Sequence, residues 1–166
     1  ERRVPVLSVE SNFRVIYENL EQLVQELILN RDQFHPFFPE EDEEDRGVKA
    51  YADDLRSVGG LFHVVFLGMG EDGHVAGLFP NHHTIRSTSP NFIAFDDAPK
   101  SPAKRMTAAS SLLKQSKLGF LLALGEAKKE ALDRFFSHAV DEAGCPAKLI
   151  TAMEEYVVVT DIPEPE

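Results

Sequence analysis

Two apolar runs of strand length constrain the fold more than any other feature of this sequence. One covers residues 61–67 and stops at Gly68; the other covers residues 118–124 and stops at Gly125. Nearly continuous apolar character is typical of strands that are buried on both faces of a parallel sheet. Helical patterns alternate with these runs. The sequence therefore predicts an α/β fold with a doubly wound, mostly parallel, Rossmann-like sheet and helices on both faces.

The remaining pattern predicts three helices and three shorter strands. From Phe13 to Ile28 the apolar residues recur at steps of three and four, which predicts an amphipathic helix over residues 11–29 with Ser11 or Asn12 as its N-cap. We expect one domain over residues 1–162 and a frayed tail at 163–166. The other predicted elements are a helix that follows residues 40–45, a helix at 126–138, and strands at 92–95, 105–108 and 156–160.

The acidic run at residues 40–45 has a simple interpretation. Six consecutive carboxylates lead into the second predicted helix, where negative charge meets the positive end of the helix dipole. Consecutive side chains point in different directions, which argues against a metal site. We therefore expect a solvated helix N-terminus here.

Composition excludes several classes of protein. The 17 Lys and Arg residues against 28 Asp and Glu residues give a net charge of −11, which argues against binding to nucleic acid or to anionic membranes. The single Cys145 forms no internal disulfide and favours a reducing compartment. No run reaches the length of a membrane span, and residues 1–5 carry no signal-peptide core, so we expect a cytoplasmic protein.

The glycines at 68, 70 and 73 follow the first apolar run, where open α/β sheets place their ligands. Their spacing satisfies G-x-G-x-x-G, the pattern of dinucleotide-binding loops. Such a loop opens a long helix, whereas Pro80 arrives seven residues after Gly73 and stops one. Dinucleotide binding is therefore the least favoured interpretation of this loop.

Residues 68–80 resemble the signature of the 6-phosphogluconolactonase family, which shares a superfamily with the glucosamine-6-phosphate deaminases. Other stretches agree with that family in order, so the resemblance spans the chain to about Asp161. They are Glu1-Arg2 with Val4-Pro5, Ser11-Asn12-Phe13-Arg14, Pro99-Lys100-Ser101-Pro102 with Arg105-Met106-Thr107, and Gly125-Glu126-Ala127-Lys128.

The resemblance implies hydrolysis of 6-phosphogluconolactone to 6-phosphogluconate in the oxidative pentose phosphate pathway, with His74 as general base. An imidazole, with an ordinary pKa of about 6.5, is able to take a proton from water and return it. Asp72 matches a family position, and either shapes the turn or contacts the sugar. Gly68, Gly70 and Gly73 allow close approach of the backbone, and aim N–H groups at the carbonyl oxygen.

A sugar phosphate brings about −1.5 to −2 charges, so a chain this acidic needs a local cluster of cations to hold it. Arg105 and Lys128 are the main candidates, because both lie near strand ends and match the family's motifs. Lys100 and Arg2 are further candidates for substrate binding. We expect Lys104 to be exposed to solvent.

The residues after His74 favour a lactonase over a deaminase. Deaminases resemble one another in a Phe-Asn-Glu-Pro stretch whose carboxylate assists ring opening, whereas residues 75–80 of this chain contain no acid. Val75 and Gly77 depart from the lactonase pattern, which often has Thr and Ser there. The proposed hydrolysis needs neither a metal nor an organic cofactor.

The family begins with a Ser-Gly-Gly-x-Thr-Pro phosphate loop and an Asp before Glu1-Arg2, and this sequence contains neither. We therefore expect a fold that is incomplete at its N-terminus, with little or no lactonase activity in the isolated chain. Expected partners are a sugar-phosphate lactone, the missing N-terminal part and a fused dehydrogenase. The alternative from another class is a non-catalytic module that binds sugar phosphates or another protein.

Overall fold

A computed structural model describes residues 1–163 and divides the chain into two compact units. The first unit contains residues 1–59 and 94–106, and the second contains residues 60–93 and the chain from 107 onward. The helices are α1 (Asn12–Gln25), α2 (Val48–Ser57), α3 (Ser110–Leu113) and α4 (Lys129–Phe136). The strands are β1 (Val64–Gly68), β2 (Phe92–Phe95), β3 (Arg105–Ala108), β4 (Leu118–Ala123) and β5 (Glu155–Thr160).

The second unit is built on a parallel three-stranded sheet in the order β1-β4-β5. Phe66 of β1 is in register with Phe120 of β4, which is in register with Val157 of β5. Both apolar runs of the sequence form parallel strands, and β4 lies in the centre. The predicted α/β fold class with a parallel sheet and helices is confirmed.

One face of this sheet is covered by helical segments. Leu121 and Ala123 of β4 are fully buried in a core that also contains Leu132 and Phe135 of α4, and Ile150 of a 3-10 helix at Pro146–Ala152. Gly119 allows that helix to pack closely, since a Cβ at position 119 would lie 2.7 Å from Ile150 Cγ1. The absent side chain thus sets the distance between helix and sheet.

The other face of the sheet carries apolar side chains that remain exposed. Phe66 stacks on Phe120 with ring centroids 4.9 Å apart, yet 68% of Phe66 is accessible to solvent. Val64, Val157 and Val159 on the same face are also exposed. Nearly continuous apolar character predicted coverage on both faces, and in the described residues this second face stays open. Exposed apolar surface of this kind favours association.

The first unit contains α1, whose N-terminus is fixed by two side chains. Ser11 is the N-cap and accepts a hydrogen bond from the Arg14 N–H, as one of the two predicted caps. The Glu1 carboxylate accepts hydrogen bonds from the N–H groups of Asn12 and Phe13, each at 3.0 Å. The helix ends at Gln25, four residues before the predicted end, because Leu27 adopts a left-handed conformation with φ of 59°.

A network of charges holds the acidic run within the first unit. The side chain of Arg3 is 1% exposed, and it contacts Glu41 at 2.8 Å and Asp96 at 2.6 Å. Lys104, exposed as expected, also binds Glu41 at 2.8 Å. The hydrogen bond from Lys104, together with that from Arg3, lowers the pKa of Glu41. Glu41 is therefore exposed, as predicted for the acidic run, and it is also paired with the buried Arg3, which was not predicted.

The chain passes between the two units within β2 and β3, which form a two-stranded sheet. Both strands have the predicted bounds. The predicted helix at 126–138 is instead a 3-10 turn at Glu126–Lys128 followed by α4, which ends where Ser137 becomes extended. The single domain over 1–162 stays a prediction, and residues 164–166 of the predicted tail lie outside the described residues. No helix within residues 1–163 has both the length and the apolar character to cross a membrane.

Candidate active site

The glycine-rich segment forms a closed turn at the carboxyl end of β1. The Gly73 N–H donates to the Gly70 carbonyl at 2.9 Å, and the Gly70 N–H donates to the His74 carbonyl at 2.8 Å. Met69 ties the start of the turn to the sheet by donating its N–H to Leu122 O at 2.9 Å. The N–H groups of Gly70 and Gly73 are therefore used within the turn, and the prediction that they point at the carbonyl oxygen of the substrate is wrong.

His74 and Asp72 form a hydrogen-bonded pair on this turn. The imidazole Nδ1 of His74 lies 2.5 Å from Asp72 Oδ1, and the His74 backbone N–H approaches the same oxygen at 3.4 Å. When Asp72 is ionised and the imidazole is neutral, the tautomer that makes this hydrogen bond has its proton on Nδ1 and its lone pair on Nε2. The sequence left open whether Asp72 shapes the turn or contacts the sugar; the structure places its carboxylate against the imidazole.

The three predicted glycines differ in what they do. A Cβ at Gly70 would overlap the His74 imidazole and lie 2.6 Å from Asp72 Oδ1. Gly73 has φ of +82°, and a Cβ there would lie 2.9 Å from Cys145 Sγ. At Gly68 an added Cβ meets no described atom within 4 Å. The pair therefore requires glycine at 70, and the turn requires it at 73.

The segment after His74 is held by buried residues of the second unit. Phe79 is buried and lies against the imidazole, with ring centroids 4.8 Å apart. Thr107 Oγ1 accepts a hydrogen bond from the Gly77 N–H at 2.9 Å, and Thr84 Oγ1 donates to the Gly77 carbonyl at 3.1 Å. Sequence reasoning assigned no role to these residues. Thr107 had one available signal, its place in the Arg-x-Thr element.

Cys145 lies beneath the turn. It is fully buried, and burial raises the pKa of its thiol. Its neighbour Ala147 donates a backbone N–H to the Gly73 carbonyl at 3.0 Å. These contacts give Cys145 a packing role, as expected for a small residue in this part of the chain.

Lys128 is the predicted phosphate-binding residue of the second unit. It is the last residue of the 3-10 turn that follows β4. Its backbone N–H donates to Gly125 O at 2.9 Å, and its side chain is half-buried. Gly125 has φ of +89° and donates its own N–H to Asp161 Oδ1 at 2.8 Å. The turn at the carboxyl end of β4 is thus fixed by hydrogen bonds.

Three predicted cations lie in the first unit. Arg2 and Arg105 form an antiparallel β-bridge, which brings two guanidinium-bearing residues side by side. The Arg105 guanidinium donates to the carbonyls of Pro102, Lys100 and Ser101 at 3.1–3.2 Å. Burial, and then the nearby charge of Arg2, lower the pKa of Arg105. Lys100 lies on the exposed surface of the same loop.

The structure thus has a His–Asp pair on a glycine turn at the end of a strand in a parallel α/β sheet, an arrangement suited to proton transfer. The model of the glucosamine-6-phosphate isomerases/6-phosphogluconolactonase family matches residues 1–159. The chain belongs to this family. The predicted family is therefore confirmed, whereas the individual site residues remain predictions.

Named relatives and solved structures agree with this assignment. The chain is 30% identical over its whole length to a 6-phosphogluconolactonase of Borreliella burgdorferi, of which it covers 71%. A crystal structure of the 6-phosphogluconolactonase of Thermotoga maritima superposes on 96% of the chain with a TM-score of 0.78 and 25% identity; the chain covers 69% of it. That of a Shewanella baltica 6-phosphogluconolactonase gives a TM-score of 0.74 and 26% identity, with 96% of this chain and 68% of that one covered.

Another relative joins two activities in one polypeptide. A GDH/6PGL endoplasmic bifunctional protein of Oryctolagus cuniculus is 33% identical over 78% of this chain. The chain covers only 17% of that relative. Domains of this family therefore occur within larger fused proteins.

Proposed function

We propose that this chain carries the site for hydrolysis of 6-phosphogluconolactone to 6-phosphogluconate. The family assignment and the named lactonases support the reaction. The observation that carries the proposal is the hydrogen bond between His74 Nδ1 and Asp72 Oδ1 on the glycine turn. Several relatives are much longer than the region that this chain matches. The activity of the whole protein is therefore a proposal too.

The first chemical step is attack of water on the lactone carbonyl. Asp72 holds the proton of His74 on Nδ1, so Nε2 accepts a proton from the attacking water. The Asp72 carboxylate also stabilises the imidazolium that forms. A new C–O bond joins the water oxygen to the carbonyl carbon, and the carbonyl π electrons move to its oxygen. Phe79 restricts the orientation of the imidazole by packing against it.

The second step is collapse of the tetrahedral intermediate. The C=O bond re-forms, the bond to the ring oxygen breaks, and that oxygen takes the proton from Nε2 of His74. The products are a carboxylic acid and a hydroxyl group, and His74 returns to its neutral form. At neutral pH the acid ionises, so each turnover releases one proton to the solution.

The phosphate of the substrate needs cations because the chain carries a net charge of −11. We infer that Lys128, in the same unit as His74, serves this purpose, and Arg2, Lys100 and Arg105 stay predicted substrate-binding residues of the first unit. The Arg105 guanidinium is already ordered by backbone carbonyls, which reduces the entropy lost on binding.

The segment after His74 supports a lactonase over a deaminase. Val75, Leu78 and Phe79 are buried apolar residues, and residues 75–80 contain no carboxylate. In the deaminases, the equivalent segment is expected to carry a carboxylate that assists opening of the amino sugar ring. Hydrolysis of a lactone needs only one group that accepts and returns a proton, and His74 supplies it.

We also propose a cytoplasmic location and a functional link to a dehydrogenase. The single buried Cys145 suits a reducing compartment. A dehydrogenase that oxidises a sugar phosphate at its first carbon would produce the lactone substrate. The bifunctional relative supports such a link.

The proposal is tested in the full-length protein, by comparing the wild type with His74→Ala and Asp72→Asn. Lactone hydrolysis is followed as proton release with a pH indicator, after subtraction of the spontaneous rate. We expect His74→Ala to lose most of the catalysed rate and Asp72→Asn to lose a smaller part. Binding of 6-phosphogluconate is measured by NMR titration, and should survive in both variants.

Equal catalysed rates in the wild type and in His74→Ala would exclude the general-base role. Binding of 6-phosphogluconate without any turnover by the wild type would instead favour the non-catalytic binding module. An exposed substitution such as Lys129→Met, which removes a cation outside the proposed site, controls for a general effect of charge.

A further inference from the structure

We propose that Arg134 is a positioning residue that fixes the glycine turn and thereby the Asp72–His74 pair. This inference rests on the proposed lactonase function. The guanidinium Nη2 of Arg134 donates a hydrogen bond to the carbonyl of Glu71 at 2.9 Å. Glu71 and Asp72 share one peptide group, so this hydrogen bond acts on the backbone that carries the Asp72 carboxylate.

The peptide group between Glu71 and Asp72 is the central one of a β-turn. The hydrogen bond from the Gly73 N–H to Gly70 O makes Glu71 and Asp72 the two central residues of a β-turn. In such a turn the central peptide group rotates as the turn changes between types I and II. Type II needs positive φ at its second central residue, and the non-glycine residues with positive φ do not include Asp72. The turn is therefore of type I, and Arg134 donates a hydrogen bond to the carbonyl of its central peptide group.

Helix α4 gives Arg134 a rigid base. Ala131, Leu132 and Phe135 are buried in the core of the second unit, so the helix has little freedom to rotate. Arg134 Nε is also buried, and makes no hydrogen bond within the described residues. A guanidinium that is partly desolvated has few alternative partners, which favours its hydrogen bond to Glu71 O.

The effect of Arg134 on Cys145 supports this location. The positive charge of Arg134 opposes the rise that burial causes in the pKa of the Cys145 thiol. Cys145 in turn lies against Gly73, at the end of the same turn.

Loss of the hydrogen bond from Arg134 frees the central peptide group to rotate. Rotation would change the direction of the Asp72 backbone, and the carboxylate would leave the imidazole Nδ1. His74 would then populate both neutral tautomers, and only the one with a lone pair on Nε2 is suited to the proposed step. A displacement of about 1 Å at a catalytic group typically costs about a hundredfold in rate.

The experiment compares Arg134→Met, which keeps a long side chain without a donor, with Arg134→Lys, which keeps a charged donor. Lys129→Met is the matched control, because it removes one charge from an exposed position of the same helix. Each variant is made in the full-length protein and assayed for kcat and KM with 6-phosphogluconolactone. The tautomer of His74 is measured separately from the nitrogen chemical shifts of its imidazole, which requires no turnover.

For Arg134→Met we expect kcat to fall at least tenfold, KM to change less than twofold, and the His74 nitrogen shifts to report a mixture of tautomers. Arg134→Lys should recover a substantial part of both effects, and Lys129→Met should match the wild type. If Arg134→Met fails to fold, Arg134→Gln is tested against the same expectations.

Unchanged His74 shifts in a folded Arg134→Met chain would overturn the inference, whatever happens to the rate. A rise in KM at constant kcat would also overturn it, because it would indicate contact with the substrate. If the wild type shows no turnover, the proposed function fails, and the His74 shifts alone decide whether Arg134 positions the pair.

Discussion

Substitution of Gly70 by alanine is expected to impair catalysis without preventing folding. The added methyl group would overlap the His74 imidazole and lie 2.6 Å from Asp72 Oδ1. Neither neighbour is able to stay in place, since ordinary van der Waals contact with a Cβ begins at 3.4 Å. The hydrogen bond of 2.5 Å between Asp72 and His74 is therefore expected to break.

The magnitude follows from these distances. Asp72 Oδ1 has to move by about 0.8 Å to reach ordinary contact, and the imidazole has to move further. A displacement of about 1 Å typically costs about a hundredfold in rate, which corresponds to about 2.7 kcal/mol of transition-state stabilisation. We expect a loss of this size in kcat. Since Gly70 φ does not lie in the left-handed region, the backbone itself tolerates alanine.

The assay measures proton release from 6-phosphogluconolactone for Gly70→Ala and Gly68→Ala side by side. Both glycines belong to the same sequence motif, but an added Cβ at position 68 meets no described atom within 4 Å. Gly68→Ala should therefore keep at least half of the wild-type kcat. Thermal unfolding of each variant, followed by circular dichroism, separates loss of activity from loss of structure.

Equal rates for Gly70→Ala and the wild type would refute the argument that the Asp72–His74 contact limits turnover. An equally large loss in Gly68→Ala would show that the motif acts through its backbone flexibility rather than through the space left for the imidazole.

Two further predictions concern stability and association. The pKa of Glu41 is lowered from its ordinary 4.5, so its contribution to stability is present above pH 4.5 and is lost as the pH falls through the lower folded value. Because the Glu41 side chain is 40% exposed and solvent screens its ion pairs, Glu41→Gln should destabilise the first unit by about 0.5–1 kcal/mol at pH 7. Urea titrations should show a smaller loss as the pH falls through the folded pKa, and equal losses at every pH would contradict this. Phe66→Ser should reduce concentration-dependent association in light scattering, because Phe66 is 68% exposed, and unchanged association would exclude this face as its cause.

The order and type of most elements follow from local pattern. Strands β2 and β3 have the predicted bounds, and Ser11 caps α1 as expected, because turn and cap chemistry acts over a few residues. Element ends were harder to predict. Apolar spacing continues to Ile28, whereas α1 stops at Gln25 because Leu27 takes a left-handed conformation. Spacing alone carries no information about that backbone angle.

The acidic run shows a second limit of local reasoning. Six carboxylates in sequence look alike, but only a three-dimensional arrangement selects Glu41 as the partner of the buried Arg3. Asp45 has a different role, since it accepts hydrogen bonds from the N–H groups of Gly47 and Lys49 at the start of α2. The role of Glu41 depends on a partner 38 positions away in the sequence, whereas the role of Asp45 depends on residues two and four positions away.

The sequence by itself determined the fold class, the family and the identity of the candidate catalytic histidine, because strand patterns and motif residues are encoded locally. Tertiary structure alone decided that the Asp72 carboxylate faces His74 and that Arg134 reaches the turn from α4. It also decided that a side chain at position 70 would collide with the imidazole, whereas one at position 68 would meet no described atom. These contacts depend on how the chain folds back on itself, over distances that residue spacing does not specify.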